Sequence, residues 1–205
     1  MIDYKTILGI AAVVIGLVSY VPYYRDILRG ATKPHPFSWF AFALMLGITF
    51  FAQLVTGAGA GAWVNGVSAI AVFGIAVLSV LKGYREITTF DWFCFAGALL
   101  GIVLWRLTND PFTAVVIVTI TDTIAFAPTF RKAYLKPEEE TMSLFVFSTA
   151  KYAVSLFALS VFTPTTALFP AVLVLSNFAL VLLLVLRRRQ LAKRGRDDTP
   201  HEIRT

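Results

Sequence analysis

The stretch AFAPTFRKAYLKPEEETMSLF (Ala125–Phe145) contains a proline at the end of an apolar run, then a charged patch, and then the start of a second apolar run. An earlier stretch, SYVPYYRDILRGATKPHPFSWF (Ser19–Phe40), has the same order of features. The shared order indicates that the chain contains an internal repeat.

The repeat can be followed well beyond the two prolines. When Pro22 is set on Pro128, Arg25 aligns with Arg131. With one loop residue dropped, further pairs align: Ser38 with Ser143, Phe40 with Phe145, Phe42 with Phe147, and Lys82 with Arg187. The last pair marks the ends of two apolar segments, so each repeat unit extends over three segments.

The composition indicates a membrane protein. The chain has 205 residues, of which 58% are hydrophobic and 15% are charged, and its mean hydropathy is +0.75. A soluble domain has about 25% charged and 45–50% apolar residues. A transmembrane helix needs about 20 mostly apolar residues, and the sequence predicts seven: Ile7–Tyr24, Phe37–Thr56, Ala62–Leu81, Phe90–Trp105, Phe112–Phe130, Met142–Phe162 and Ala167–Leu186.

The basic residues predict the orientation of these helices. The connections after the first, third, fifth and seventh segments contain 15 of the 18 lysine and arginine residues. Cytoplasmic loops of membrane proteins are enriched in such residues. The expected topology therefore has the N-terminus outside and a basic C-terminal tail in the cytoplasm, in a multi-pass protein of the plasma (inner) membrane.

The predicted fold is an all-α membrane protein with two parallel three-helix bundles. The first unit comprises residues 1–81, a linker helix with its loops 82–110, the second unit 111–187, and the basic tail 188–205. A single linker helix gives both units the same orientation, related by an axis along the membrane normal. Transporters with repeats of this kind bind substrate between the units, near mid-membrane.

The loop PTFRKAYLKPEEETMS resembles the loop signature of the SWEET sugar facilitators, and the repeated loop proline is similar to that of the wider PQ-loop superfamily. The resemblance implies a transporter with three-plus-one-plus-three topology. In this chain Tyr23 and Thr129 follow the prolines, so neither repeat contains the literal Pro-Gln pair. The resemblance also implies that an asparagine on the third helix of each unit contacts the solute, for which Asn177 and Asn65 are the candidates.

Asp122 and Lys151 are the two charged residues that lie far from the ends of the apolar segments. A charge at the centre of a membrane helix costs about 2.5–3.5 kcal/mol on translocon scales and usually marks a functional site. Both residues lie about 12 Å from the predicted cytoplasmic ends of their helices at 1.5 Å rise per residue, which predicts an ion pair. Either the pair is a static structural link, or Asp122 is a protonatable coupling group, or the pair opens to bind a zwitterion.

Two further groups of residues are candidates. Pro22 and Pro128 lack the amide that would continue the helix ladder, which favours gating hinges over prolines that serve packing alone. The remaining polar candidates for solute binding are Thr49, Gln53, Tyr152 and Ser155.

We therefore expect a transporter of a small polar solute, such as a sugar or an amino acid, and not an enzyme. The alternative is a related membrane receptor or scaffold that binds a ligand without transporting it. The expected partners are the solute, the lipid bilayer and protons. The chain could also form a homo-oligomer, which is a state to test. No nucleic acid, cofactor or metal is expected.

Overall fold

The computed structural model describes residues 3–107 and 110–197. The described part forms seven α-helices and contains no strand. The helices are α1 (Tyr4–Leu28), α2 (Pro36–Val55), α3 (Trp63–Lys82), α4 (Thr89–Leu107), α5 (Pro111–Leu135), α6 (Met142–Phe157) and α7 (Pro164–Asp197). Each predicted segment corresponds to one helix. Residues 198–205 of the predicted tail lie outside the described residues.

The structure confirms an all-helical protein of the membrane class. Five helices, namely α1, α2, α3, α5 and α7, are long and apolar enough to cross a membrane, and α6 is a shorter apolar helix. The predicted sixth segment was too long at its C-terminal end, because α6 stops at Phe157. The backbone after it turns so that the Ser160 amide donates a hydrogen bond to the Ala58 carbonyl at 3.1 Å.

Local sequence signals account for several helix ends. Helices α2, α5 and α7 each begin with proline, whose fixed φ suits the first turn and whose missing amide is not needed there. At the start of α5, the Asp110 side chain accepts a hydrogen bond from the Thr113 amide at 2.7 Å. Gly30 follows α1 with φ 77°, a left-handed conformation that commonly ends helices.

The helices do not pack in the order in which they follow one another. Helix α3 packs against both α1 and α2, and α7 packs against both α5 and α6. Across the bundle, α1 packs against α6 and α2 against α5, while α4 lies against α5 and α2. Within the described residues, the backbones of α1 and α2 do not approach each other closely, and neither do those of α5 and α6.

The loops that carry most basic residues gather at one end of the bundle, here called the basic end. Lys33 pairs with Glu139 at 2.8 Å, and the Tyr84 amide donates to the Pro34 carbonyl at 3.0 Å. Arg188, near the end of α7, donates to the Pro137 carbonyl at 2.8 Å. The connections after α1, α3 and α5 therefore lie together with the last part of α7.

At the other end, here called the opposite end, a short 3₁₀ turn (Gly59–Ala62) lies between α1 and the segment after α6. A Cβ at Gly9 would come within 2.6 Å of the Ala60 Cβ, and a Cβ at Gly61 within 3.0 Å of the Ser155 carbonyl oxygen. Any side chain at Gly9 or Gly61 would push these segments apart. The small residues of this stretch thus allow the close contact that closes the opposite end.

Candidate functional site

A small cavity lies between the helices in the interior of the bundle. Its volume is about 40 Å³, close to the roughly 30 Å³ that one water molecule occupies in the liquid. Its lining residues come from six helices: Tyr20, Trp39, Phe42, Leu46, Val72, Asp122, Phe126, Leu144, Phe145, Ser148, Lys151, Tyr152, Leu173 and Asn177. Asp122, Lys151, Tyr152 and Asn177 were predicted as site residues, and the fold brings them together here.

Lys151 is buried, and its ammonium group is held by neutral side chains. Its Nζ donates to the Tyr20 hydroxyl at 2.7 Å and to the Ser68 hydroxyl at 2.9 Å. The same nitrogen lies 4.5 Å from the centre of the Tyr20 ring and 4.8 Å from that of Tyr152. Gly16 leaves room for the lysine chain, since a Cβ there would lie 3.3 Å from Lys151 Cδ.

Asp122 is also buried and lines the cavity. Its Oδ2 atom has no hydrogen-bond partner among the described residues. An unpaired buried carboxylate is costly, so a buried charge is normally paired or hydrogen-bonded. A polar solute or a proton would satisfy this atom.

The predicted ion pair between Asp122 and Lys151 is wrong. Among the described residues, no carboxylate oxygen lies within the 4.0 Å ion-pair limit of the Lys151 ammonium. The prediction assumed that α5 and α6 are neighbours because they follow each other in the chain. Helix α7 packs between them, and α6 instead packs on α1. Lys151 therefore points toward Gly16 and Tyr20, away from α5.

Asn177 lines the cavity with its amide bonded to its own helix. Its Nδ2 donates to the Leu173 carbonyl at 2.7 Å. The Ser155 hydroxyl similarly donates within its own helix, to the Tyr152 carbonyl at 2.8 Å, but Ser155 is not a lining residue. Asn177 thus keeps an amide oxygen for other partners.

Three other predicted site residues are buried away from the cavity, toward the opposite end. Asn65 Nδ2 donates to Gln53 Oε1 at 2.7 Å, and Gln53 Nε2 donates to the Thr166 carbonyl at 3.0 Å. This chain of hydrogen bonds joins α3, α2 and the start of α7. The Thr49 hydroxyl is buried without a hydrogen-bond partner among the described residues. Asn65 and Gln53 therefore help to close the opposite end.

Aromatic side chains separate the cavity from the basic end. We call Tyr23, Trp39, Phe42, Phe126 and Phe145 the aromatic layer. Its ring centres lie 5.0 Å apart for Tyr23 and Trp39, 6.5 Å for Tyr23 and Phe145, and 4.4 Å for Phe42 and Phe126. Four of its members also line the cavity. The layer therefore lies between the cavity and the loops of the basic end, which Tyr23 reaches through Glu140.

The two predicted hinge prolines lie next to this layer. Pro22 precedes Tyr23 within α1, and Pro128 lies between Phe126 and Phe130 within α5. Both helices continue past their prolines. Tyr23 in turn donates to Glu140 Oε2 at 3.3 Å, and Glu140 forms a buried ion pair with Lys132 at 2.8 Å.

A second buried polar group lies at the basic end where α2 begins. The His35 Nε2 atom lies 3.5 Å from Asp91 Oδ2, and both side chains are fully buried. Asp91 also pairs with Arg131 at 2.6 Å. Burial lowers the pKa of His35 to about 4, although the nearby Asp91 carboxylate acts in the other direction. The imidazole is therefore neutral at pH 7.

Three residues important to the site were missed in the sequence: Tyr20, Ser68 and Ser148. Tyr20 aligns with Phe126 in the repeat, and both line the cavity. The repeat alignment thus contained a signal for Tyr20. No signal in the sequence indicated Ser68, which reaches Lys151 from α3.

Chemically, the cavity offers a carboxylate, an ammonium, an amide and hydroxyls between aromatic walls. No group of three or more histidine, cysteine or acidic residues within the described part could hold a metal ion. Comparisons with family models, with curated proteins and with solved structures find no match for this chain. The function is therefore argued from this cavity.

Proposed function

We propose that the protein transports a small polar solute across a membrane by alternating access between two three-helix units. The units are α1–α3 and α5–α7, and α4 links them. The observation that carries the proposal is that Asp122 and Lys151 are both buried at one internal cavity without forming a pair. Buried charges that stay apart within a membrane protein are expensive and typically belong to a substrate or ion pathway.

The lining of the cavity supports a pseudo-two-fold axis through it. Eight of its 14 lining residues form four pairs that are equivalent in the repeat alignment. These pairs are Tyr20 with Phe126, Trp39 with Leu144, Leu46 with Lys151, and Val72 with Asn177. Each pair contributes one residue from each unit. A site between the units is where a parallel-repeat transporter binds its substrate.

The helix packing supports the same arrangement. The third helix of each unit packs between the first and the second, and the contact of α1 with α6 has its counterpart in the contact of α5 with α2. In the repeat alignment, Lys151 and Gly16 on one side of the axis correspond to Leu46 and Asp122 on the other. Each charged residue thus belongs to a contact between units.

The expected solute is small and contains polar groups of more than one kind. An anionic group suits the Lys151 ammonium, a cationic group suits Asp122, and Asn177 supplies an amide for hydroxyl or amino groups. Amino acids and similar zwitterions match this set best, and sugars match the neutral part of it. Asp122 is also the candidate group for coupling uptake to protons.

Transport requires the cavity to open, because its present volume of about 40 Å³ holds no solute of this size. Opening toward the basic end would separate the aromatic layer and the Tyr23–Glu140 contact. Opening toward the opposite end would separate the 3₁₀ turn from α6 and break the Gln53–Thr166 contact. Both sets include contacts that join the first unit to the second.

The resemblance to SWEET and PQ-loop carriers agrees with this proposal. We also propose the orientation that the basic residues predict, with the basic end in the cytoplasm and the protein in the plasma (inner) membrane. The alternating packing of the two units is compatible with that orientation.

The proposal is tested in two steps. A thermal-shift screen of sugars, amino acids and vitamins on the purified protein first identifies a ligand. Uptake of that ligand is then measured in proteoliposomes with the wild type, Asn177→Leu and Ser155→Ala. We expect Asn177→Leu to lower apparent affinity about tenfold, since a lost hydrogen bond is worth roughly 0.5–1.5 kcal/mol. Ser155→Ala is the matched control and should behave like the wild type.

A ligand receptor or scaffold is the second candidate, favoured by the small volume of the cavity, about 40 Å³. The same experiment separates the two functions. A ligand that stabilises the protein but does not enter proteoliposomes containing it would support the receptor and contradict the transporter.

A further inference from the structure

A continuous groove runs along the membrane-facing surface between α3 and α4. Its widest part, of about 550 Å³, is lined by apolar side chains that include Phe40, Ile70, Phe73 and Leu99. Within the described residues, α3 and α4 do not pack against each other, so the groove is open toward lipid.

The groove continues toward the basic end. A second cavity of about 510 Å³ shares Phe40 and Phe95 with the first and extends to Tyr84 and Arg85. A third, of about 300 Å³, shares Tyr84 and Arg85 with the second. From Ile70 to Lys82 the groove follows α3 for about 18 Å at 1.5 Å per residue. This length matches one leaflet, which is half of the roughly 30 Å hydrocarbon core.

The third cavity has an excess of positive charge. Its lining includes four basic residues, Lys33, Lys82, Arg85 and Lys136, and two acidic residues, Glu86 and Glu139. Lys33 pairs with Glu139, and Lys136 pairs with Glu86.

Lys82 and Arg85 remain without an acidic partner among the described residues. Both side chains donate hydrogen bonds to backbone carbonyls, from Lys82 Nζ to Leu28 at 2.9 Å and from Arg85 Nη2 to Leu81 at 2.9 Å. Two exposed positive charges therefore lie where the apolar groove reaches the membrane surface.

We propose that this groove binds one anionic phospholipid. An acyl chain lies along α3 between Ile70 and Phe40, and the phosphate group lies at Lys82 and Arg85. The apolar groove alone would accept any lipid, and the unbalanced charges at its mouth select an anionic headgroup. Each basic residue near the surface contributes about 1 kcal/mol of attraction to anionic lipid.

A second copy of the chain fits this groove less well than lipid does. Two copies inserted in the same orientation would bring their basic ends to the same level. The Lys82 and Arg85 charges would then face further basic residues and not an acidic surface. A lipid phosphate supplies the opposite charge at the required level. The site is separate from the central cavity and does not depend on transport.

The test measures lipid binding to delipidated protein in a neutral detergent. Native mass spectrometry and thermal unfolding are recorded with palmitoyl-oleoyl phosphatidylglycerol, with the phosphatidylcholine of the same chains, and with glycerol phosphate. We expect phosphatidylglycerol to bind at one copy per chain and to raise the unfolding temperature. Phosphatidylcholine should bind more weakly, and glycerol phosphate, which lacks chains, should have no effect.

Three variants locate the site. Lys82→Gln with Arg85→Gln should weaken phosphatidylglycerol binding roughly thirtyfold, the equivalent of about 2 kcal/mol. The control variant, Arg189→Gln with Lys193→Gln, removes two exposed positive charges in the last part of α7, on the same side of the membrane as Lys82 and Arg85. It should bind phosphatidylglycerol like the wild type. Leu99→Trp fills the groove without changing charge and should also weaken binding.

Several outcomes would overturn the proposal. One is equal binding of the two phospholipids by the wild type, a result that does not depend on whether any variant folds. Another is unchanged binding in the Lys82 and Arg85 double variant or in Leu99→Trp. A third is stabilisation by glycerol phosphate alone, which would indicate a free anion site. A dimer crosslinked through Leu99→Cys would show that a second copy covers the groove.

Discussion

At the scale of single residues, the separation of Asp122 and Lys151 makes a measurable prediction. Breaking a true buried ion pair destabilises a protein by about 3–5 kcal/mol. Because the two residues are not paired here, Asp122→Asn should leave the free energy of unfolding nearly unchanged. Lys151→Met should lower it only through the loss of the hydrogen bonds to Tyr20 and Ser68, each worth roughly 1.5–3 kcal/mol for a charged donor. Both variants should abolish uptake. Their coupling energy in a double-mutant cycle should stay within about 0.5 kcal/mol, as for independent sites. If each single variant strongly destabilised the protein and the double variant did not, the two residues would be paired after all.

His35 makes a prediction about pH. Burial lowers its pKa to about 4 in the folded protein, against about 6.5 in an unfolded chain. The unfolded state then binds more protons between these values, so stability falls as pH falls. We expect a loss of about 2 kcal/mol between pH 7 and pH 5, measured by unfolding in mixed micelles.

The matched control for this prediction is His35→Gln, which cannot take up a proton. Its unfolding free energy should change less over the same pH range, with the difference from the wild type being the His35 contribution. Identical pH dependence in the two proteins would contradict the assignment to His35.

At the scale of helices, the prolines beside the aromatic layer are the predicted hinges. Pro22→Ala and Pro128→Ala restore an amide to α1 and α5, so each helix can complete its hydrogen-bond ladder and bend less readily. We expect both variants to fold and insert but to transport at least tenfold more slowly, a barrier increase of about 1.4 kcal/mol. Pro170→Ala in α7, a helix proline away from the layer, is the control. Wild-type uptake rates in the variant that carries both Pro22→Ala and Pro128→Ala would show that the two prolines serve packing alone.

The sequence predicted where each helix lies along the chain far better than it predicted which other helices each one packs against. Length and hydropathy located all seven helices, and most ends moved by a few residues, although α7 continues past the predicted end at Leu186 to Asp197. The contact of α6 with α1 could not be predicted from hydropathy, because an apolar helix surface suits lipid and protein alike. The ion pair failed for this reason. The repeat contained more information, since Tyr20 and Phe126, or Val72 and Asn177, occupy equivalent positions on the cavity wall.

At the scale of the whole molecule, the orientation in the membrane is open to a direct experiment. The clustering of basic residues at one end predicts that this end faces the cytoplasm. A reporter that is active only outside the cytoplasm, fused after Thr205, should therefore give no signal. The same reporter fused before Tyr4 is the control and should be active. The reverse pattern would overturn the orientation.

The central claim is that one cavity opens alternately to the two sides of the membrane. Ser148 lines the cavity and is buried, so the most direct measurement is the reactivity of a cysteine placed there. In a Cys94→Ala background, Ser148→Cys is treated with a membrane-impermeant maleimide in right-side-out and inside-out vesicles. Ser79→Cys, a buried position that is not a lining residue, is the control. We expect labelling of Ser148→Cys from both sides and of Ser79→Cys from neither. Labelling of Ser148→Cys from one side only, or from neither, would contradict alternating access.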